Sequence, residues 1–323
     1  MVAEELYPSR MSDWLLSSRS PFETTAMLTY RLTRRAALGL AVLPLFAGCS
    51  TPLPLIARPP GDAAAAKRLQ ESAEAHGLTA YRALTDINVS YSGEWRPLIN
   101  RIQPELVDAG FRGDSQERLI PMAGVVAQAY TGPLGRKQVS WRRSRTSSNE
   151  TGEVAVWFNG VLSSNSAAQD TAALVAEGYA LFLLGPLWLA NRDLSMQLAG
   201  TERVDNRLCD VVNVWLSPGL GKAATDRVAL YIDRADNITR RMRFTLEGFA
   251  GTRGAVAEVD TFEHARRFGV LWPMRSYERL VHPLPLPVHD WRITGLDVNR
   301  GYSPSDVLGP EFKGAAARPA ALT

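Results

Sequence analysis

Residues Ala167 to Ala190 (AAQDTAALVAEGYALFLLGPLWLA) are the stretch that most constrains the fold of this chain. A membrane span is the first rival for so apolar a run. Glu177 lies mid-segment, however, and Gly185-Pro186 interrupts it. A central acid costs a transmembrane helix about 2.5–3.5 kcal/mol. The spacing predicts a helix to about Leu184, a Pro-marked turn and a short apolar continuation. In water such a helix must be covered on most sides, which requires a sheet curved around it.

The rest of the chain supplies that sheet. Ile87-Asn88-Val89-Ser90-Tyr91 alternates apolar and polar, the period-2 signal of a half-buried strand. Similar segments follow at Arg118–Tyr130, Lys137–Arg143, Glu153–Phe158, Leu194–Leu198, Leu208–Leu216, Arg227–Asp233, Ile238–Glu247, Ala255–Phe262, Arg275–Glu278 and Trp291–Val298. Turns rich in Gly, Asn and Asp separate them, the pattern of a large antiparallel sheet. Ahead of it, Asp62 to His76 is Ala-rich and charged, with Asp62 as N-cap and Gly77 as the C-terminal stop of a helix.

The N-terminus reads as an address. Arg31, Arg34 and Arg35 precede an uncharged, mostly apolar run from Ala36 to Ala47. That run is too short to span about 30 Å of hydrocarbon and has the layout of a secretory signal. Thr33 to Leu38 resembles the twin-arginine export motif around Arg34 and Arg35, with Ala37 where the motif usually has Phe. Phe46-Ala47-Gly48-Cys49 resembles a bacterial lipobox, with Leu45 one place early. Small side chains suit a peptidase at the scissile bond, and the Cys49 thiol can accept a diacylglycerol. Residues 1–26 carry four acids and fit poorly ahead of such a signal, so translation is expected to begin at Met27. The expected organisation is a signal peptide over 27–48, a lipidated, Pro-rich tether over 49–61, one domain over 62–313 and a disordered tail over 314–323. Ser50 avoids the aspartate that retains enteric lipoproteins at the inner membrane, which favours the outer one.

Composition removes several classes. With 46% hydrophobic and 21% charged residues the chain is neither disordered nor collagen-like. Thirty-six basic residues against 33 acidic give a net charge of +3, too balanced for a nucleic-acid binder. Two cysteines allow at most one disulfide; with Cys49 acylated, Cys209 is left alone and is expected to be a buried structural thiol.

The segment from Leu198 carries a family resemblance. Ala199 to Val212 looks like two strands around an Asp205-Asn206 turn, followed by Asp226 to Asp233, a short turn before Ile238, Val259 to Phe262, Gly269 to Met274 and Val298-Asn299. This order is similar to the LolA/LolB-like lipoprotein-carrier superfamily, with Asn206 at the place of a turn glycine. The resemblance covers roughly residues 85–300. It implies an α+β fold: a large curved antiparallel sheet, an unclosed β-barrel, with helices packed in its concave face and an apolar hollow for acyl chains. Receptors of the family carry a lipobox and carriers lack one, so Cys49 points to the anchored kind.

Catalytic and metal signals are sparse. The histidines are His76, His264, His282 and His289, without HExxH or CxxC spacing. His282 and His289 flank a Pro-rich segment that, if extended, holds them about 20 Å apart; the two are expected in surface loops. There is no GxSxG elbow, and Gly219-Leu220-Gly221-Lys222 reads as a hairpin turn rather than a phosphate loop. Glu258 and Asp260 share a strand face expected to meet water. The pairs Arg142-Arg143, Arg240-Arg241 and Arg266-Arg267 suit solvated sheet edges or contact with anionic headgroups. Trp157, Phe158, Leu181, Phe182, Trp188 and Trp215 lie in or beside the most apolar segments and are either core or the lining of an acyl cavity.

The expectation is a membrane-anchored envelope lipoprotein, facing the periplasm, that binds a lipid or a lipidated protein without a cofactor, a metal, an enzymatic reaction or nucleic acid. The ligand would displace the helix that plugs the hollow. The alternatives are a sensor or scaffold that binds an envelope protein through the sheet, and an enzyme exported by the twin-arginine route.

Overall fold

The computed structural model describes residues 52–144, 152–312 and 316–320. The signal segment, Arg34, Arg35 and Cys49 lie outside the described residues. A first meander comprises β1 (Ile87–Trp95), β2 (Asp114–Ile120), β3 (Val125–Gly132), β4 (Gly135–Arg142), β5 (Glu153–Phe158) and β6 (Val161–Leu162). A second comprises β7 (Ser195–Val204), β8 (Arg207–Leu216), β9 (Asp226–Asp233), β10 (Thr239–Thr245), β11 (Val256–Arg267), β12 (Val270–His282) and β13 (Leu286–Val298). All pairs are antiparallel, and β1 pairs with β13, so the two meanders meet in mid-sheet. The strands β6 and β7 are the two edges, and the sheet does not close into a barrel. This α+β architecture, an open curved sheet around helices, is the one that the LolA/LolB-like resemblance implies.

The helices are α1 (Ala63–Ala75), α2 (Leu78–Arg82), α3 (Pro97–Ile102), α4 (Pro104–Val107), α5 (Ser166–Leu184), α6 (Pro186–Leu189) and α7 (Pro304–Val307) among the described residues. Asn165 caps α5 by accepting from the Ala167 and Ala168 N–H groups at 2.9 and 3.2 Å. Gly185 ends it at φ 51°, and Pro186 opens α6. Every residue of α5 from Thr171 to Leu184 is buried, as its composition requires. It shares one core with Val212, Val214 and Leu216 of β8 and Val228 and Leu230 of β9, and its Phe182 ring meets Phe244 of β10. Asp205 and Asn206 both have positive φ (45° and 64°), the tight two-residue hairpin geometry expected between β7 and β8.

Several expectations are corrected. Arg118–Tyr130 is two strands, because Pro121 lacks an N–H and the chain turns through Pro121–Ala123 and Gly124. The segment before α1 is no free tether. Leu53 is buried with Cys209, Val211 and Tyr231 on the convex face, Trp215 Nε1 donates to the Ile56 carbonyl at 3.2 Å, and Arg227 donates to the Pro54 carbonyl. Within the expected disordered tail, residues 316–320 lie against β13, where Pro319 bridges Gly295 and the Leu296 N–H donates to the Arg318 carbonyl at 2.8 Å. Glu258 and Asp260 do share a face, but Arg241, Arg243 and Arg279 cover them, leaving them 3% and 4% exposed. His289 is buried rather than in a surface loop, and Pro283 to Pro285 form the turn between β12 and β13 instead of an extended spacer. Cys209 is buried, and burial pushes its thiol up to about 11.

Candidate functional site

The concave face divides into an apolar half and a polar end. Where β2 ends, β3 begins and β4 ends, the sheet stands away from α5 and α6. The space between is a cavity of about 470 Å³, within the range of about 300–1,000 Å³ usual for ligand pockets. Leu119, Val126 and Trp141 form the sheet wall, and Ala180, Leu184 and Trp188 the helix wall. The strand alternation that turns Leu119, Val126 and Trp141 inward is the ordinary period of two.

The charged groups of this cavity are few and mostly cationic, Arg82, Arg143 and Arg192 against Glu177, with Asn191, the Tyr81 hydroxyl and the Trp141 indole N–H as neutral polar groups. Glu177 is 2% exposed and spends both oxygens on the protein. One accepts from the Gly221 N–H at 2.8 Å, and the other forms an ion pair with Arg143. Gly221 has φ 58°, and a Cβ there would lie 2.6 Å from the Leu174 nitrogen, so only glycine lets the β8–β9 loop reach α5. The acid that argues against a membrane span is therefore the tie that fixes α5. Arg143 and Arg192 both lie over the Trp188 ring, with Cζ 5.1 and 4.3 Å from its centroid. Arg192 Nη1 is buried with no hydrogen-bond partner among the described residues. Burial pulls Arg192 down to about 9, the Arg143 charge pulls the same way, and Glu177 opposes both.

The opposite end of the hollow is closed by polar packing that periodicity does not reveal. Tyr91 Oη and Gln128 Nε2 donate to Glu117 at 3.1 and 2.9 Å. Burial raises Glu117 to about 8 against those hydrogen bonds and the Arg112 charge. His289 is sandwiched between Trp95 and Trp291, with ring centroids 4.3 and 4.7 Å away. Its Nδ1 lies 3.0 Å from Tyr179 Oη of α5, and burial holds it well below the ordinary histidine range. The gap at this stack is about 20 Å³, room for little more than a water. Among the described residues no group of three or more His, Cys, Asp or Glu side chains could hold a metal ion, and no helix is long and apolar enough to cross a membrane.

Of the six aromatic and aliphatic residues singled out from the sequence, the structure puts Trp188 in the cavity wall. Leu181 and Phe182 sit in the central core; the Phe182 ring lies 5.1 Å from Phe244 and 5.8 Å from Trp291. Phe158 packs on Phe111 at 5.0 Å beside the polar end, and the half-buried Trp157 alternates to the other face of β5. Trp215 is on the convex face, holding the N-terminal segment. Leu119, Trp141, Tyr81 and Arg192 had no signal, because four separate segments bring them together.

No family model matches the sequence, and no curated protein does. Solved structures with a similar course include a DUF1329 family protein from Desulfovibrio piger, at 10% identity and a TM-score of 0.47, covering 76% of this chain and 97% of that one. A LolA superfamily protein from Nitrosomonas europaea matches at 12% identity and a TM-score of 0.40, covering 75% and 96%. The lipoprotein LppX from Mycobacterium tuberculosis matches at 14% and 0.24, covering 58% and 91%. With these TM-scores below 0.5, the functional reading rests on the cavity of this chain.

Proposed function

We propose that this chain is an exported lipoprotein of the bacterial cell envelope that holds an acyl chain, of a lipid or of a lipidated protein, between α5–α6 and strands β2 to β4. The cavity of about 470 Å³ with mostly apolar walls carries the proposal. Each methylene moved from water into such a site contributes about 0.8 kcal/mol, so binding needs burial rather than reactive groups. The cavity coexists with α5 in its packed position, so the ligand enters beside the helix and does not displace it. Export follows a signal over 27–48 with Arg34 and Arg35 as the twin-arginine pair. A diacylglyceryl Cys49 tethers the folded body to the membrane, the outer one on the strength of Ser50. Fatty-acid labelling of the protein in cells is expected to vanish in Cys49→Ala; label that persists would remove the anchor.

Calorimetric titration of the full chain with primary alcohols from octanol to dodecanol tests the cavity. Affinity should rise about fourfold per added methylene, which is 0.8 kcal/mol expressed as a ratio. An affinity independent of chain length would refute acyl burial.

A further inference from the structure

The walls of the cavity are apolar but its charges are not balanced. Three guanidinium groups, Arg82, Arg143 and Arg192, face it, against one carboxylate, Glu177. Glu177 is saturated by Arg143 and the Gly221 N–H. Arg82 is directed by a neutral acceptor, its Nε and Nη2 both donating to Asn191 Oδ1 at 3.0 and 2.9 Å. Arg192 has the indole face of Trp188 beneath it and a buried Nη1 without a partner among the described residues. A buried donor left unsatisfied is costly, and a charged one more so. An anion entering the cavity would satisfy it.

We infer that the cavity takes an anionic amphiphile: the tail lies along Leu119, Val126 and Leu184, and an oxyacid head, carboxylate or phosphate, is bound by Arg192 with Arg143 and Arg82 beside it. This rests on the acyl reading of the cavity and narrows it. A neutral acylglycerol, or the uncharged diacylglyceryl end of a lipoprotein, leaves Arg192 unsatisfied and is a poorer ligand. Burial and the Arg143 charge both disfavour the Arg192 cation, and an incoming anion would offset them. The guanidinium fork also suits two-oxygen recognition of either head.

The experiment compares three twelve-carbon probes, dodecanoate, dodecyl phosphate and dodecanol, each below its micellar concentration, by calorimetry on the full chain. At least one anion should bind tenfold or more tightly than dodecanol, the scale of a charge-assisted hydrogen-bonded pair, and the tighter anion identifies the head. Arg192→Gln should bring the anions to within threefold of the alcohol, both measured on that variant. Arg192→Lys should retain a preference for the anion. Equal binding of all three probes by the wild-type chain would overturn the inference and leave the acyl site standing. Binding of none of them would overturn both, a result distinct from the first. An anion preference undiminished in Arg192→Gln would also overturn the role of Arg192, provided the variant melts as the wild type does.

Discussion

Glu177→Gln is the substitution whose consequence the structure specifies most closely. The amide still accepts from the Gly221 N–H, so the loop contact survives. What is lost is the anion facing Arg143, with Arg192 sharing the same Trp188 ring. Removing one partner of a buried ion pair typically costs 3–5 kcal/mol, because the other charge stays buried without compensation. The Arg143 side chain keeps 17% of its exposure, and with it some water, so the lower end applies: about 3 kcal/mol. For a domain of this size that corresponds to a melting temperature lower by about 6 °C. Urea unfolding followed by tryptophan fluorescence measures the loss directly. The same change made in an Arg143→Met background removes both charges and should cost far less than the sum of the single variants, with a coupling of about 2 kcal/mol. A single-variant loss under about 1 kcal/mol, or strict additivity, would show that the pair does not hold α5.

Two further outcomes are expected. Glu117 titrates at about 8 in the folded protein against 4.5 as a free group, as does Glu278, so the folded state holds protons that the unfolded state has released. Their contribution is complete below about 4.5 and is lost as pH rises through about 8; Glu117→Gln should therefore soften the decline in urea stability between pH 5 and 9 by about 1–2 kcal/mol, and an unchanged decline would count against neutral burial of Glu117. Trp215→Ala removes the donor to the Ile56 carbonyl and the ring under Arg227, so amide hydrogen exchange over Leu55–Ala57 should quicken about tenfold while β8 and β9 exchange as before; equal exchange in both proteins would mean that other contacts hold this segment.

The backbone was more legible in the sequence than the site. The end of α5 at Leu184, its capture by a curved sheet and the hairpin at Asp205-Asn206 each follow from a local signal: apolarity, the Gly-Pro break and two residues that tolerate positive φ. The side on which a residue falls was less legible. Trp215 lies between Val214 and Leu216, all three apolar, because β8 is buried on both faces; period-2 alternation then names no inward side. Glu258 and Asp260 look solvent-facing in sequence because the arginines that cover them come from β10 and β12, two other strands. The cavity is assembled from α2, the end of β2 and start of β3 with the turn between them, β4, α5, α6 and the residues after it, and no spacing in the chain records that convergence.

The pairing of β1 with β13 carries a consequence for biogenesis. Ile87 and Val298 are partners in the ladder, so the midpoint of the sheet joins the earliest strand to the last one made. A nascent polypeptide still on the ribosome can build each arch separately and can lay β2 beside its first strand, but the other edge of β1 must wait. The keystone arrives at the end, contacts so distant in sequence form slowly, and until release the half-built arch keeps one flank of β1 open.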